Sequence, residues 1–171
     1  VPLAQGAGAR GALVGHSERR HVFGETDAET GKKVRALLAA GLTPMLCVGE
    51  KLEQREAGET ENVVVRQLRA GLEGVTPAEL ARLIIAYEPV WAIGTGKTAT
   101  PDQAQEVHAF IRDKLVAQDD MIGGQIRILY GGSVNGSNAT ELFAREDIDG
   151  GLVGGASLQA GDFLAIRNSA A

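Results

Sequence analysis

Only one cysteine, Cys47, occurs in the 171 residues, so no internal disulfide can form and a reducing, cytoplasmic setting is expected. Aromatic residues are scarce at 4%, which leaves Ala, Val, Ile and Leu to build the core. That composition suits a parallel sheet wrapped by helices. Positive charge is not in excess. Seventeen Lys and Arg against 22 Asp and Glu give a net charge of −5, which argues against a nucleic-acid partner, since binding one needs a basic face. A small anion stays compatible with that charge, because a few backbone N–H groups can hold one. No apolar run approaches the ~18 residues a membrane span needs. Residues 1–10 have neither the charged nor the apolar region of a signal peptide, so no membrane partner is expected. No low-complexity linker divides the chain, which reads as a single domain.

With 44% hydrophobic and 23% charged residues, the chain can fill one core but not two ordinary domains. Short apolar runs alternate with longer helical patterns, the rhythm of βα units on a parallel sheet. Five runs are expected as strands: residues 11–15, 42–48, 83–88, 126–130 and 150–153. Val34, Leu37 and Leu38 share a helical face that ends at Gly41, and Val64, Leu68 and Leu72 repeat at four-residue spacing. Thr76-Pro77-Ala78-Glu79 and Thr100-Pro101-Asp102-Gln103 each read as a capping box with proline at the first helical position. The second opens a helix with Ala104, Val107 and Ile111 on its inner face, and a last short helix is expected over about residues 162–166. A closed eight-stranded barrel typically takes about 250 residues, so five strands fall roughly three βα units short of it. An open doubly wound sheet would tolerate five, so length alone leaves both architectures open.

Four glycine-rich or polar segments follow the expected strands. In a parallel barrel those carboxyl ends converge on the face that carries active sites. Gly15-His16-Ser17-Glu18-Arg19-Arg20 puts a histidine at the start of a helix, whose dipole disfavours added positive charge. A neutral imidazole there can donate a hydrogen bond to a carbonyl. In Ala86-Tyr87-Glu88-Pro89-Val90-Trp91-Ala92-Ile93-Gly94-Thr95-Gly96-Lys97, Glu88 ends an apolar strand, where a carboxylate is costly unless paired or functional. Partial burial would raise its pKa toward the range of a general base. The loop after it has the composition of a lid, with Pro89 at one end, Gly94 and Gly96 open to a ligand, and Trp91 and Ile93 as apolar anchors. Tyr130-Gly131-Gly132-Ser133-Val134 and Val153-Gly154-Gly155-Ala156-Ser157-Leu158 let backbone N–H groups converge on an anion after two successive strands.

Together these segments resemble, in order, the signature segments of the triosephosphate isomerase family, as do Leu46-Cys47-Val48-Gly49-Glu50 and Gln54-Arg55-Glu56-Ala57-Gly58. The resemblance runs over about residues 11–166 and implies an α/β (β/α)8 barrel, of which this chain carries about five βα units. It implies that His16 is the electrophile and Glu88 the base of a glycolytic and gluconeogenic isomerase acting on triose phosphates, with neither cofactor nor metal. This family is itself the standing worked case of a Glu base beside a neutral His at a helix N-terminus. Gly94, Ser133, Gly154 and Gly155 would hold the substrate phosphate, Glu18 would be a supporting carboxylate, and Cys47 would be structural. The full-length protein would be a homodimer.

Features the family carries earlier in its barrel have no counterpart in residues 1–10: a lysine and an asparagine at the end of the first strand, and the third βα loop of the dimer interface. Residues 1–5 do not match the family where they stand. The expectation is therefore the C-terminal portion of a barrel with its front three units absent. Two alternatives share parts of the pattern: another phosphate-binding βα-barrel enzyme, and a fragment that associates without turning over substrate.

Overall fold

Threonine caps set three helix starts in the computed structural model, which describes residues 1–170. Thr26, Thr76 and Thr100 each accept the N–H three residues on, while Glu29, Glu79 and Gln103 reach back to the cap's own N–H. Between such signals the chain runs α1 (Pro2–Gly6), β1 (Gly11–Val14), α2 (Ser17–His21), α3 (Asp27–Ala39), β2 (Thr43–Val48), α4 (Leu52–Glu56), α5 (Thr60–Leu72) and α6 (Pro77–Leu80). It continues through β3 (Ile84–Tyr87), a 3-10 turn (Val90–Ala92), α7 (Pro101–Gln118), α8 (Asp120–Gly123), β4 (Arg127–Tyr130), α9 (Ala139–Phe143), a second 3-10 turn (Gly155–Leu158) and α10 (Ala160–Ser169).

The four strands form one parallel sheet in the order β1-β2-β3-β4. Val14 lies opposite Leu46, Val48 opposite Tyr87, and Tyr87 opposite Tyr130, so the carboxyl ends come out on one side. The expected inner faces are buried: Val34, Leu37 and Leu38 of α3, Val64, Leu68 and Leu72 of α5, and Ala104, Val107 and Ile111 of α7. They pack with Leu46, Ile85 and Ile128 of the sheet into one core. Gly71 lets α5 approach that sheet, since a Cβ there would lie 2.5 Å from a Leu46 methyl carbon.

The fifth strand is corrected. Residues 150–153 follow the edge of β4, with Tyr130 N–H donating to Gly150 and Leu152 N–H to Tyr130, but only Gly151 makes a ladder bridge. Gly150 has φ +145, outside the extended region a strand uses, and no described strand lies beyond to straighten the segment. The last helix is longer than expected, and α1 was not anticipated. α1 docks through Gln5, whose side-chain amide donates to Ala40.

Candidate active site

His16 is the N-cap of α2, directly beyond β1. Its Nδ1 accepts the Glu18 N–H at 3.3 Å, so the ring proton belongs on Nε2. Nε2 lies 3.1 Å from Oε1 of Glu88. Glu88 stands one residue beyond β3 and is only 2% exposed. Ser17 donates to it twice, through its backbone N–H (2.9 Å to Oε2) and its hydroxyl (3.3 Å to Oε1). Burial raises the pKa of Glu88 above the usual carboxylate range, although His16 and the Ser17 donors pull the other way. The arrangement is an acceptor for a proton beside a donor for an oxygen, both at the carboxyl end of a parallel sheet.

The loop that presents His16 is clamped at the preceding residue. Gly15 has φ +70, donates its N–H to Glu25, and accepts from Arg20 Nε at 2.6 Å. Arg20 also donates to the Cys47 carbonyl (3.2 Å) and pairs with Asp27 (2.5 Å). Burial opposes the charge on Glu25, but Lys33 and Arg19 outweigh it and hold the carboxyl below its usual range. Cys47 is buried and inert. Burial first, then the negative charge of Glu88, pushes its thiol well above the ordinary value.

The loop after Glu88 has its own anchor. Glu50, fully buried, accepts from the Tyr87 hydroxyl (3.1 Å), Trp91 Nε1 (2.8 Å) and Arg55 Nη1 (3.3 Å). The Arg55 guanidinium also stands 4.9 Å over the Trp91 ring. Burial and the Glu50 charge keep the Tyr87 phenol protonated. Ser133, in the loop after β4, ties that loop to the same stem by donating its hydroxyl to Ala92 O at 2.8 Å.

Of the expected phosphate residues, Gly94 lies in the exposed loop with φ +67, and Ser133 is half-buried with its carbonyl held by Asn138. Gly154 and Gly155 open the second 3-10 turn, next to Ser133's loop because Gly151 bridges Tyr130. Among the described residues, none of the four backbone N–H groups is engaged in another hydrogen bond. Glu18 was expected as a supporting carboxylate. Its side chain is exposed and forms no hydrogen bond among the described residues, and its backbone N–H is what touches His16. Sequence reasoning missed Ser17, Glu50 and Gln67. Ser17 carried a signal as the neighbour of His16, but the 71 residues separating it from Glu88 hid the contact. A groove of about 1210 Å³ lies in the outer layer against Val65, Leu68 and Phe110 and includes none of the site residues.

Parallel strands joined through helices, with a carboxylate and an imidazole together at their carboxyl ends, define an α/β protein whose sheet is consistent with part of a βα-barrel. Comparison with known proteins makes the class specific. The family model for triosephosphate isomerase matches residues 1–170, and the chain belongs to that family. The match extends at both ends beyond the expected residues 11–166, taking in residues 1–5, which had been expected to fall outside it.

The triosephosphate isomerase of Cupriavidus taiwanensis is 60% identical over 157 residues, which cover 92% of this chain and 64% of the relative. That of Ralstonia nicotianae is 61% identical over 155 residues, 91% of this chain and 62% of the relative. That of Thiobacillus denitrificans is 58% identical over 164 residues, 96% of this chain and 66% of the relative. The chain thus spans just under two thirds of the length of the curated relatives it matches, and the stretch it matches is their C-terminal part.

Proposed function

We propose that the protein carrying these residues interconverts dihydroxyacetone phosphate and D-glyceraldehyde 3-phosphate. The observation that carries this reading is the 3.1 Å approach of His16 Nε2 to Glu88, with the ring's tautomer set by the Glu18 N–H. Glu88 removes a proton from the carbon beside the carbonyl, and His16 hydrogen-bonds the carbonyl oxygen as it gains negative charge. The enediolate that forms is reprotonated by Glu88 on the neighbouring carbon, while His16 passes a proton between the two oxygens. Burial supports the base role, because a raised pKa brings a carboxylate closer to the strength needed for a carbon acid.

The phosphate does not react. Its cradle is the main chain of Gly94, Ser133, Gly154 and Gly155, a reading supported by their uncommitted N–H groups. Closure of residues 89–99 over the phosphate would exclude water from the enediolate. Glu18 takes no direct part in the chemistry. The 171 residues form a single domain, the C-terminal part of a barrel, and the full protein is a cytoplasmic homodimer, as the family resemblance implies.

Glu88→Gln tests the base. In the full-length protein it should lower the turnover number by about 10²–10⁴-fold with the circular dichroism spectrum unchanged. Near-normal turnover would remove Glu88 from that role. Gly155→Val tests the cradle: it should raise the Michaelis constant by blocking backbone approach, and an unaltered constant would place the phosphate elsewhere.

A further inference from the structure

We infer that Gln67 is a positioning residue for Glu88, acting through the Gly49 peptide on which the Glu88 main chain rests. As a statement about catalysis, this rests on the reading of Glu88 as the base. The argument begins where β1 ends. At Gly15 the chain turns away toward His16, so the side of β2 that faced β1 loses its strand partner. Two side chains take over. Arg20 donates to the Cys47 carbonyl, and Gln67, reaching in from α5, satisfies both polar groups of Gly49. Its Oε1 accepts the Gly49 N–H at 2.7 Å and its Nε2 donates to the Gly49 carbonyl at 3.3 Å. Gln67 is only 3% exposed, so its amide has no water to turn to instead.

The other side of β2 leads directly to the base. Glu88 N–H donates to Val48 O at 2.7 Å, and Val90 N–H to Glu50 O at 3.0 Å, so the residues flanking Gly49 are stitched to those flanking the Glu88 carbonyl. Gly49 fills the space between. A Cβ built on it would lie 1.7 Å from Glu88 O, closer than any side chain could come. A displaced Gly49 peptide must therefore displace Glu88, and with it the carboxylate that Ser17 and His16 hold. The path runs from Gln67 to Gly49, then to Glu88, and ends at Ser17.

Amide hydrogen exchange on the full-length protein reads this path without requiring turnover. In Gln67→Leu, exchange at Gly49 and at Ser17, whose N–H donates to Glu88, should rise at least ~10-fold, while Ile111 in α7 keeps its protection. Gln67→Glu keeps the acceptor for the Gly49 N–H and loses only the donor, so it should show a smaller rise at the same two amides. It decides the matter if the Leu variant does not fold. In turnover, either variant should lower kcat with KM unchanged, since the proposed cradle lies on other loops. A shift of ~1 Å in such a group costs on the order of 10²-fold.

Faster exchange at Gly49 without Ser17, or equal loss of protection everywhere including Ile111, would reduce Gln67 to a structural residue and overturn the inference. If the unaltered full-length protein fails to isomerise triose phosphate, the reading of the base fails separately. Selective exchange at Ser17 would still show that Gln67 positions the Glu88 carboxylate.

Discussion

Glu88 is a buried carboxylate whose pKa is raised, and that carries a cost the rest of the fold must offset. A raised folded-state value means that the native chain binds the proton more tightly than the unfolded one. The stabilisation this gives is fully present below the ordinary carboxylate value and is lost as pH rises through the raised one. Glu88→Gln should therefore flatten the decline in stability across that window and unfold later than the parent protein at neutral pH. Urea denaturation at a series of pH values would check this, and a Gln variant less stable at neutral pH would refute it. Under the proposed mechanism catalysis has the opposite requirement, because Glu88 must be ionised to take a proton. The acid limb of kcat/KM should fall off at a pH above the ordinary carboxylate range. His16 and Glu88 were legible in the sequence because each carries chemistry at the end of an apolar run. For Glu18 the motif fixes a position in the chain, whereas the direction of its side chain depends on the helix it enters.

At the scale of elements, the helix starts were the most readable feature, since a cap is a local hydrogen-bond exchange that needs no tertiary partner. Thr100 is the clearest case, with its hydroxyl accepting Gln103 N–H at 3.2 Å at the head of α7. Thr100→Ala should cost about 1 kcal/mol in chemical denaturation, within the usual 0.5–2 for a lost cap. A change below about 0.3 kcal/mol would mean that α7 is held by packing alone. Strands depend on a neighbour, and the expected fifth strand failed for that reason: residues 150–153 have β4 on one side and no described strand on the other. The clamp of Gln67 on Gly49 was illegible for a related reason. A glutamine on a helix reads as surface until the strand end it completes is known.

The described residues form an open sheet of four strands drawn from an architecture that closes with eight. Closure links strand number, tilt and stagger, so four strands cannot form the barrel on their own. The consequence shows at the surface. Leu13 on edge strand β1 is 48% exposed, and Leu158, Phe163 and Leu164 at the other end are 83%, 45% and 53% exposed. Unpaired edges beside apolar side chains invite association. A polypeptide of these 171 residues alone should form concentration-dependent oligomers in light scattering. It should also turn over triose phosphate far below the full-length protein. The resemblance places a lysine upstream of these residues, and loss of one such electrostatic contact costs on the order of 10²–10³ in rate. A monodisperse, fully active 171-residue chain would contradict both expectations.

Trp91 is the only tryptophan in the sequence, and its indole N–H is committed to Glu50 beneath the stem of the loop that follows Glu88. The chain thus has a single indole fluorophore, placed where motion of that loop would change its surroundings and, with excitation selective for tryptophan, unconfused by any second indole. Titration with inorganic phosphate should therefore shift its emission as the loop settles. The same optical signal, followed in stopped flow, would give the opening and closing rates of the loop without an attached label.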